Sequence, residues 1–189
     1  MRKTITDHYA EQKRRVCVFV KRNQTAFLKL CLADALVKLM KSQDFESISV
    51  SAICATADVG RTTFYRHFGN KDSKEVLLVF KIIYEWECYA ELREEEVKED
   101  RGFALTNYVY ENRELFSLLN RHGLITAIMR AFDSLMPMNE TSSKSQSYLM
   151  SFFTYGYFGI IHRWMQYDFD ETPDQLQKHV LDTLLSRVS

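Results

Sequence analysis

Glycine and proline are scarce in this chain: its 189 residues hold six and two of them. A fold of many short strands needs turn residues at nearly every reversal, so the scarcity argues for helices. Cys17, Cys31, Cys54 and Cys88 are scattered and include no Cys-x-x-Cys pair. A disulfide framework is therefore not expected, and a reducing cytoplasm fits better. No apolar stretch approaches the roughly twenty residues of a membrane span. The run Val16 to Val20 is too short for a secretion signal. His8, His67, His122, His162 and His179 form no His-x-x-x-His or Glu-x-x-His pair, so no metal site is expected. There is no glycine-rich phosphate loop and no placeable Ser-His-Asp or Cys-His set, so neither a cofactor nor an enzyme is expected. Glu85, Glu87 and Glu94 to Glu96 read as a solvated face.

Apolar residues are well supplied: 46% of the chain is hydrophobic, enough for a real core. The formal net charge of zero hides two unequal parts. Residues 1–74 carry 14 Lys/Arg against 7 Asp/Glu, and residues 75–189 carry 11 against 18. A net of +7 beside a net of −7 suggests that only the first part meets a polyanion.

The periodicity predicts an all-α chain. Residues 1–22 form a basic arm with Arg2, Lys3, Lys13, Arg14, Arg15, Lys21 and Arg22. From Asn23 to about Lys41, the residues Phe27, Leu28, Cys31, Leu32, Ala35, Leu36, Leu39 and Met40 recur as one helical stripe. A short helix starts at Ser49, with Val50, Ile53, Cys54 and Ala57 on its inner face. It is followed by a turn at Asp58-Val59-Gly60 and a second short helix from Arg61 to His67. Asn70 can cap the next helix, expected over Lys71 to about Val97. Further helices are expected at 102–111, 113–120, 123–136, 145–167 and 173–187, with Pro137 and Pro173 at boundaries. The expected division is an arm (1–22), a helix-turn-helix domain (23–74) and a larger helical domain (75–189).

Two short helices joined by three residues make a helix-turn-helix candidate, whose second helix suits the major groove of double-stranded DNA. Phe64 and Phe68, one turn apart, can anchor that helix inward. Its other face carries Arg61, Thr62, Thr63, Arg66 and His67, hydroxyls and cations able to touch base edges and phosphates. The Tyr65 phenol can reach a phosphate oxygen. Lys71 is unfavourable to the helix dipole in the first turn, yet with the free N–H groups there it suits a phosphate.

The string from Ile48 to Lys71, above all Thr63-Phe64-Tyr65-Arg66-His67-Phe68 followed by Lys71, closely resembles the DNA-binding signature of the TetR family of regulators. The resemblance extends over about residues 25 to 80. It implies that Ser49 caps the first helix of the motif and approaches a phosphate. It implies that Thr62 and Thr63 lie nearest the bases, and that Tyr65, His67 and Lys71 position the DNA backbone. Three residues depart from the pattern. Asp58 replaces the usual turn glycine, where positive φ is expected. Gly60 stands where Ser is frequent, and is an acceptable N-cap. Lys74 stands where an apolar residue is usual.

In the second part, Tyr108 to Phe116 and Phe153 to Trp164 resemble strings in a TetR branch that includes activators of dihydroxyacetone kinase operons. Repression is commoner in the family, whereas activation occurs in that branch. Gly156 and Gly159 each cost about 1 kcal/mol in a helix interior, which close approach of another helix would justify. Phe152, Tyr155, Phe158, Ile160 and Trp164 make this helix apolar nearly all round, so it needs partners on several sides. A homodimer interface is expected at Phe152, Tyr155, Gly156, Gly159 and Ile160, joined by Leu176, Val180 and Leu184. Twofold symmetry then matches a palindromic operator. The resemblance further implies an effector pocket, for which Tyr84, Phe103, Tyr108, Met129, Phe132 and Trp164 are candidates. The controlling partner is a small molecule or a protein co-regulator. The alternative function is a protein of the same fold that acts mainly through protein-protein binding.

Overall fold

The computed structural model describes residues 24–69, 73–135 and 143–186; for Ser73 and residues 181–186 it describes the backbone alone. Among these residues every regular element is helical, as the composition requires. The first elements are α1 (Gln24–Met40), a single 3-10 turn (Phe45–Ser47), α2 (Val50–Ala57), α3 (Arg61–Phe68) and α4 (Ser73–Leu92). Then come α5 (Glu94–Glu99), α6 (Arg101–Glu111), α7 (Arg113–Arg121), α8 (Ile125–Leu135), α9 (Lys144–Gln166) and α10 (Pro173–Ser186). The chain divides into two compact units, Met1–Cys88 and Tyr89–Ser189. This packing boundary falls inside α4, further along than the change of charge at 74/75.

In the first unit, α1 packs on α2 and α3. Leu32, Leu36, Ile48, Ile53, Phe64 and Leu77 form its fully buried centre. Two lysines of α4 tie this unit together. Lys81, only 6% exposed, places its ammonium 2.6 Å from Asp34 of α1 and 2.5 Å from Glu85 one turn along α4. Burial alone would lower the Lys81 pKa, but the Glu85 and Asp34 carboxylates outweigh it and hold the pKa above the ordinary lysine value. Lys74, the departure from the family pattern, donates to the Phe45 carbonyl at 2.6 Å and lies 4.4 Å from the centre of the Phe45 ring. The Phe45 carbonyl already accepts from the Ile48 N–H at 3.3 Å, and its second lone pair is taken by a cation where an apolar side chain would leave it unused. The apolar packing at the start of α4 falls to Leu77 and Leu78.

The helix expected from 71 to 97 is interrupted. Arg93 leaves helical geometry (φ −126°, ψ 41°) and a new helix, α5, begins behind it. The Arg93 guanidinium bonds Glu111 at 2.9 Å and covers the Tyr89 ring at 4.1 Å, so the side chain is held across the break. Glu94, Glu95 and Glu96 become the first turn of α5, where carboxylates complement the positive end of the helix dipole. Caps define the later helices. Asp100 accepts from the Phe103 N–H, and Ser143 with Gln146 closes a capping box. Thr172 and Gln175 form the same reciprocal pair around Pro173, the residue best suited to a first helical position. Tyr157 ties α9 to α6: its phenol lies 2.6 Å from the Thr106 hydroxyl and donates to the Gly102 carbonyl at 2.9 Å.

Candidate nucleic-acid interface

The motif is assembled by local bonds. Ser49 caps α2, its hydroxyl accepting from the Ala52 N–H at 3.1 Å. At the other end Asp58 takes the left-handed conformation, φ 54° and ψ 43°. The Val59 N–H reaches the Cys54 carbonyl at 3.0 Å and the Asp58 N–H reaches Ala55 at 3.4 Å. This double closure is a Schellman turn, and its special position is where glycine is commonest. Asp58 therefore occupies a position with positive φ, as the resemblance implies, and tolerates it better than most residues. Gly60, extended, then opens α3.

On α3, Phe64 and Phe68 are buried and their rings lie 5.6 Å apart. The spacing of four turns the opposite side outward. Arg61, Thr62, Tyr65 and Arg66 are exposed, while Thr63 and His67 are half-buried on the flank. Thr62 is thus more outward than Thr63, though the family resemblance ranked them together. No acid lies on this helix. The Arg61 guanidinium is 3.5 Å from the Ser51 hydroxyl and opposes the burial that raises the Cys54 thiol pKa, so it leans over α2. His67 has its Nε2 buried with no hydrogen-bond partner among the described residues. Burial first, then the charges of Arg66 and Lys29, hold its pKa below the ordinary value, which favours neutral imidazole. Lys71 and Asn70 lie outside the described residues. The surface thus offers cations, a phenol and hydroxyls to an anion, with a packed aromatic layer beneath.

Lys29 of α1 was not legible as part of this surface. Its ammonium lies 5.6 Å from the centre of the Phe68 ring and 5.3 Å from that of Phe80. Only the tertiary packing of α1 against α3 brings it there.

The residues singled out in the second part separate into two groups. Phe152 (72% exposed) and Tyr155 are uncovered on α9, together with Tyr148, Leu149 and Phe153. Gly156 and Gly159 are exposed, and a Cβ added at either would meet nothing within 4 Å. No helix of the chain itself approaches them among the described residues. Ile160, Leu176 and Val180 are half-buried, and the side chain of Leu184 lies outside the described residues. Of the effector candidates, Tyr84 belongs to the first unit and stacks on Phe80. Tyr108 packs with Tyr89 and Phe116, Phe132 with Tyr157 and Phe158, and Trp164 with Tyr110 and Phe169. Tyr108, Phe132 and Trp164 are fully buried; Phe103 and Met129 are half-buried.

Among the described residues, no helix is long and apolar enough to cross a membrane. No significant match is found among curated proteins or solved structures. Two family models do match. Residues 32–73 match the model of bacterial regulatory proteins of the tetR family, which spans α2, α3 and the turn between them. Residues 85–186, more than half of the chain, match the model of a transcriptional regulator C-terminal region assigned to the same family. With its helix-turn-helix and its helical body each matched in the expected order, the chain belongs to the TetR family of bacterial transcriptional regulators.

Proposed function

We propose that this regulator binds a palindromic operator as a homodimer, with residues 23–74 on the DNA and residues 75–189 responsible for dimerisation and for control by an effector. The observation that carries the reading is the outward face of α3. It presents Arg61, Thr62, Tyr65 and Arg66, has no acid, and is backed by buried Phe64 and Phe68. Such a helix places hydroxyls and cations in the major groove, with bases read near Thr62 and Thr63. Ser49, Tyr65, His67 and Lys71 contact phosphates and set the register.

The homodimer is supported by the uncovered aromatic face of α9. Monomers rarely leave so large an apolar patch in water. A second copy paired about a twofold axis covers it, and Gly156 and Gly159 permit the close approach of helices. The effector, a small molecule or a protein, acts within residues 75–189. Placement in the branch with dihydroxyacetone kinase operon activators rests on the strings at 108–116 and 153–164.

The test is binding to duplexes from the chain's own upstream region across a salt series. A steep loss of affinity with salt and preference for one palindrome are expected. Equal weak binding to every duplex would sink the operator reading and favour action through protein-protein contacts. Thr63→Ala should relax the preference among operators, and Lys71→Ala should weaken all duplexes alike.

A further inference from the structure

Two observations meet at the end of α9. The first is an unsatisfied donor. Trp164 is 2% exposed, and its indole Nε1–H is buried with no hydrogen-bond partner among the described residues. A buried indole N–H ordinarily has an acceptor, and leaving it without one costs stability. The second is backbone strain. The helix closes in a Schellman turn: the Asp168 N–H reaches the Met165 carbonyl and the Phe169 N–H the Trp164 carbonyl, both at 3.1 Å. That turn requires one left-handed residue, and Asp168 (φ 52°) supplies it at modest cost. Phe169 follows with φ 55°, which the turn does not require and which is a genuine outlier for a bulky side chain.

The ring of Phe169 is what holds its backbone there. It meets the Trp164 indole edge to face, with centroids 4.9 Å apart. It is buried, whereas Asp168 and Asp170 on either side of it are exposed. The ring therefore enters the core from a surface turn and can leave by the same way. Its departure would release the strained backbone and open a ring-sized space against the indole. Tyr110 of α6, stacked on Trp164 at 5.4 Å and 8° from parallel, still holds the indole from another side.

We propose that Phe169 is a plug over a ligand site, and that the ligand is an uncharged aromatic molecule of about one ring with a carbonyl-type acceptor. Its ring takes the place of Phe169, and its oxygen accepts from the Trp164 Nε1–H. An anion is disfavoured, because the turn at 167–172 carries Asp168, Asp170 and Glu171 and no Lys or Arg. The proposal rests on control by an effector within residues 75–189 and names the chemistry of that effector. Plugged and open forms are two states of one chain, so the ligand binds more weakly by the fraction that is open.

The test titrates the full chain with acetophenone and follows the indole N–H signals by NMR. The chain has two tryptophans, and Trp164→Phe identifies the signal of Trp164. Acetophenone should move the Trp164 proton downfield, as a new hydrogen bond requires, and leave that of Trp86 unmoved. Ethylbenzene, which has the ring but no acceptor, should give no such downfield shift. Phe169→Ala removes the plug and should tighten acetophenone binding about tenfold or more. Were Phe169→Ala to unfold, titration of the unaltered chain would decide alone. No movement of the Trp164 signal in either chain overturns the site and leaves effector control elsewhere in residues 75–189 standing. Equal affinity in the unaltered chain and in Phe169→Ala overturns the plug. Operator affinity is measured with and without acetophenone: a site that fills and leaves operator affinity unchanged supports the ligand site and overturns its part in control.

Discussion

The outward face of α3 and the outward face of α9 are both uncovered, but their chemistry is opposite. On α3 two phenylalanines are buried and the exposed positions are Arg61, Thr62, Tyr65 and Arg66. On α9 the exposed positions include Tyr148, Leu149, Phe152, Phe153 and Tyr155, and two glycines leave open space beside them. A charged and hydroxylated face is stable in water and gains by meeting an anion. An aromatic face of that extent gains by leaving water altogether. DNA therefore suits the first face and a second copy of the chain suits the second, and each assignment is open to separate attack.

The largest effect is expected at Phe64. Phe64→Ala empties a fully buried site and should cost about 3–5 kcal/mol, read in urea denaturation. Duplex binding should vanish while sedimentation still reports a dimer; loss of the dimer as well would erase the contrast between the two faces. Next comes Lys81→Met, which removes the buried ammonium shared by Asp34 and Glu85 and should cost about 2–4 kcal/mol at neutral pH. The sign with pH follows from the raised Lys81 pKa. The stabilisation is fully present below the unfolded lysine value, about 10.4, and fades as pH rises through the folded value. Urea midpoints of wild type and variant should therefore converge only in strong base.

At the second face, Phe152→Asp should weaken dimerisation by at least about 2 kcal/mol, or roughly 30-fold. Sedimentation at falling concentration measures it, and the fold of each copy should be untouched because the side chain is exposed. An unaltered dimer would show that α9 is not the interface. The smallest effect is expected at Asp58. Asp58→Gly relieves a left-handed position and should raise stability by about 0.5–1 kcal/mol. A rise in the thermal midpoint with unchanged operator preference would confirm that Asp58 serves the turn alone.

The two regions also differed in how well the residues announced them. The α3 face was legible because local spacing decides it: Phe64 and Phe68 four apart fix which side turns in. The helical stripe of α1 follows from equally local spacing, and the family resemblance supplied the cap at Ser49 and the positive φ at Asp58. Interactions between distant residues were not legible. Arg93, at the helix break, bonds Glu111, eighteen positions away, and Lys74 finds its carbonyl at Phe45, twenty-nine away. Lys29 reaches the Phe68 ring at the end of α3 only because α1 lies against α3. In the second part, apolar residues at helical spacing look alike whether they fill a core or face a partner. Tyr108, Phe132 and Trp164 proved to be buried against other aromatic rings, while Phe152 and Tyr155 were left outside.

The contrast between the two faces can be read in a single photocrosslinking experiment with p-benzoylphenylalanine at Tyr65 or at Phe152, in the full chain with an upstream duplex present. Irradiation should give a protein–DNA adduct from position 65 and a protein–protein adduct from position 152. A DNA adduct from position 152, or none from position 65, would contradict the assignment of DNA to α3.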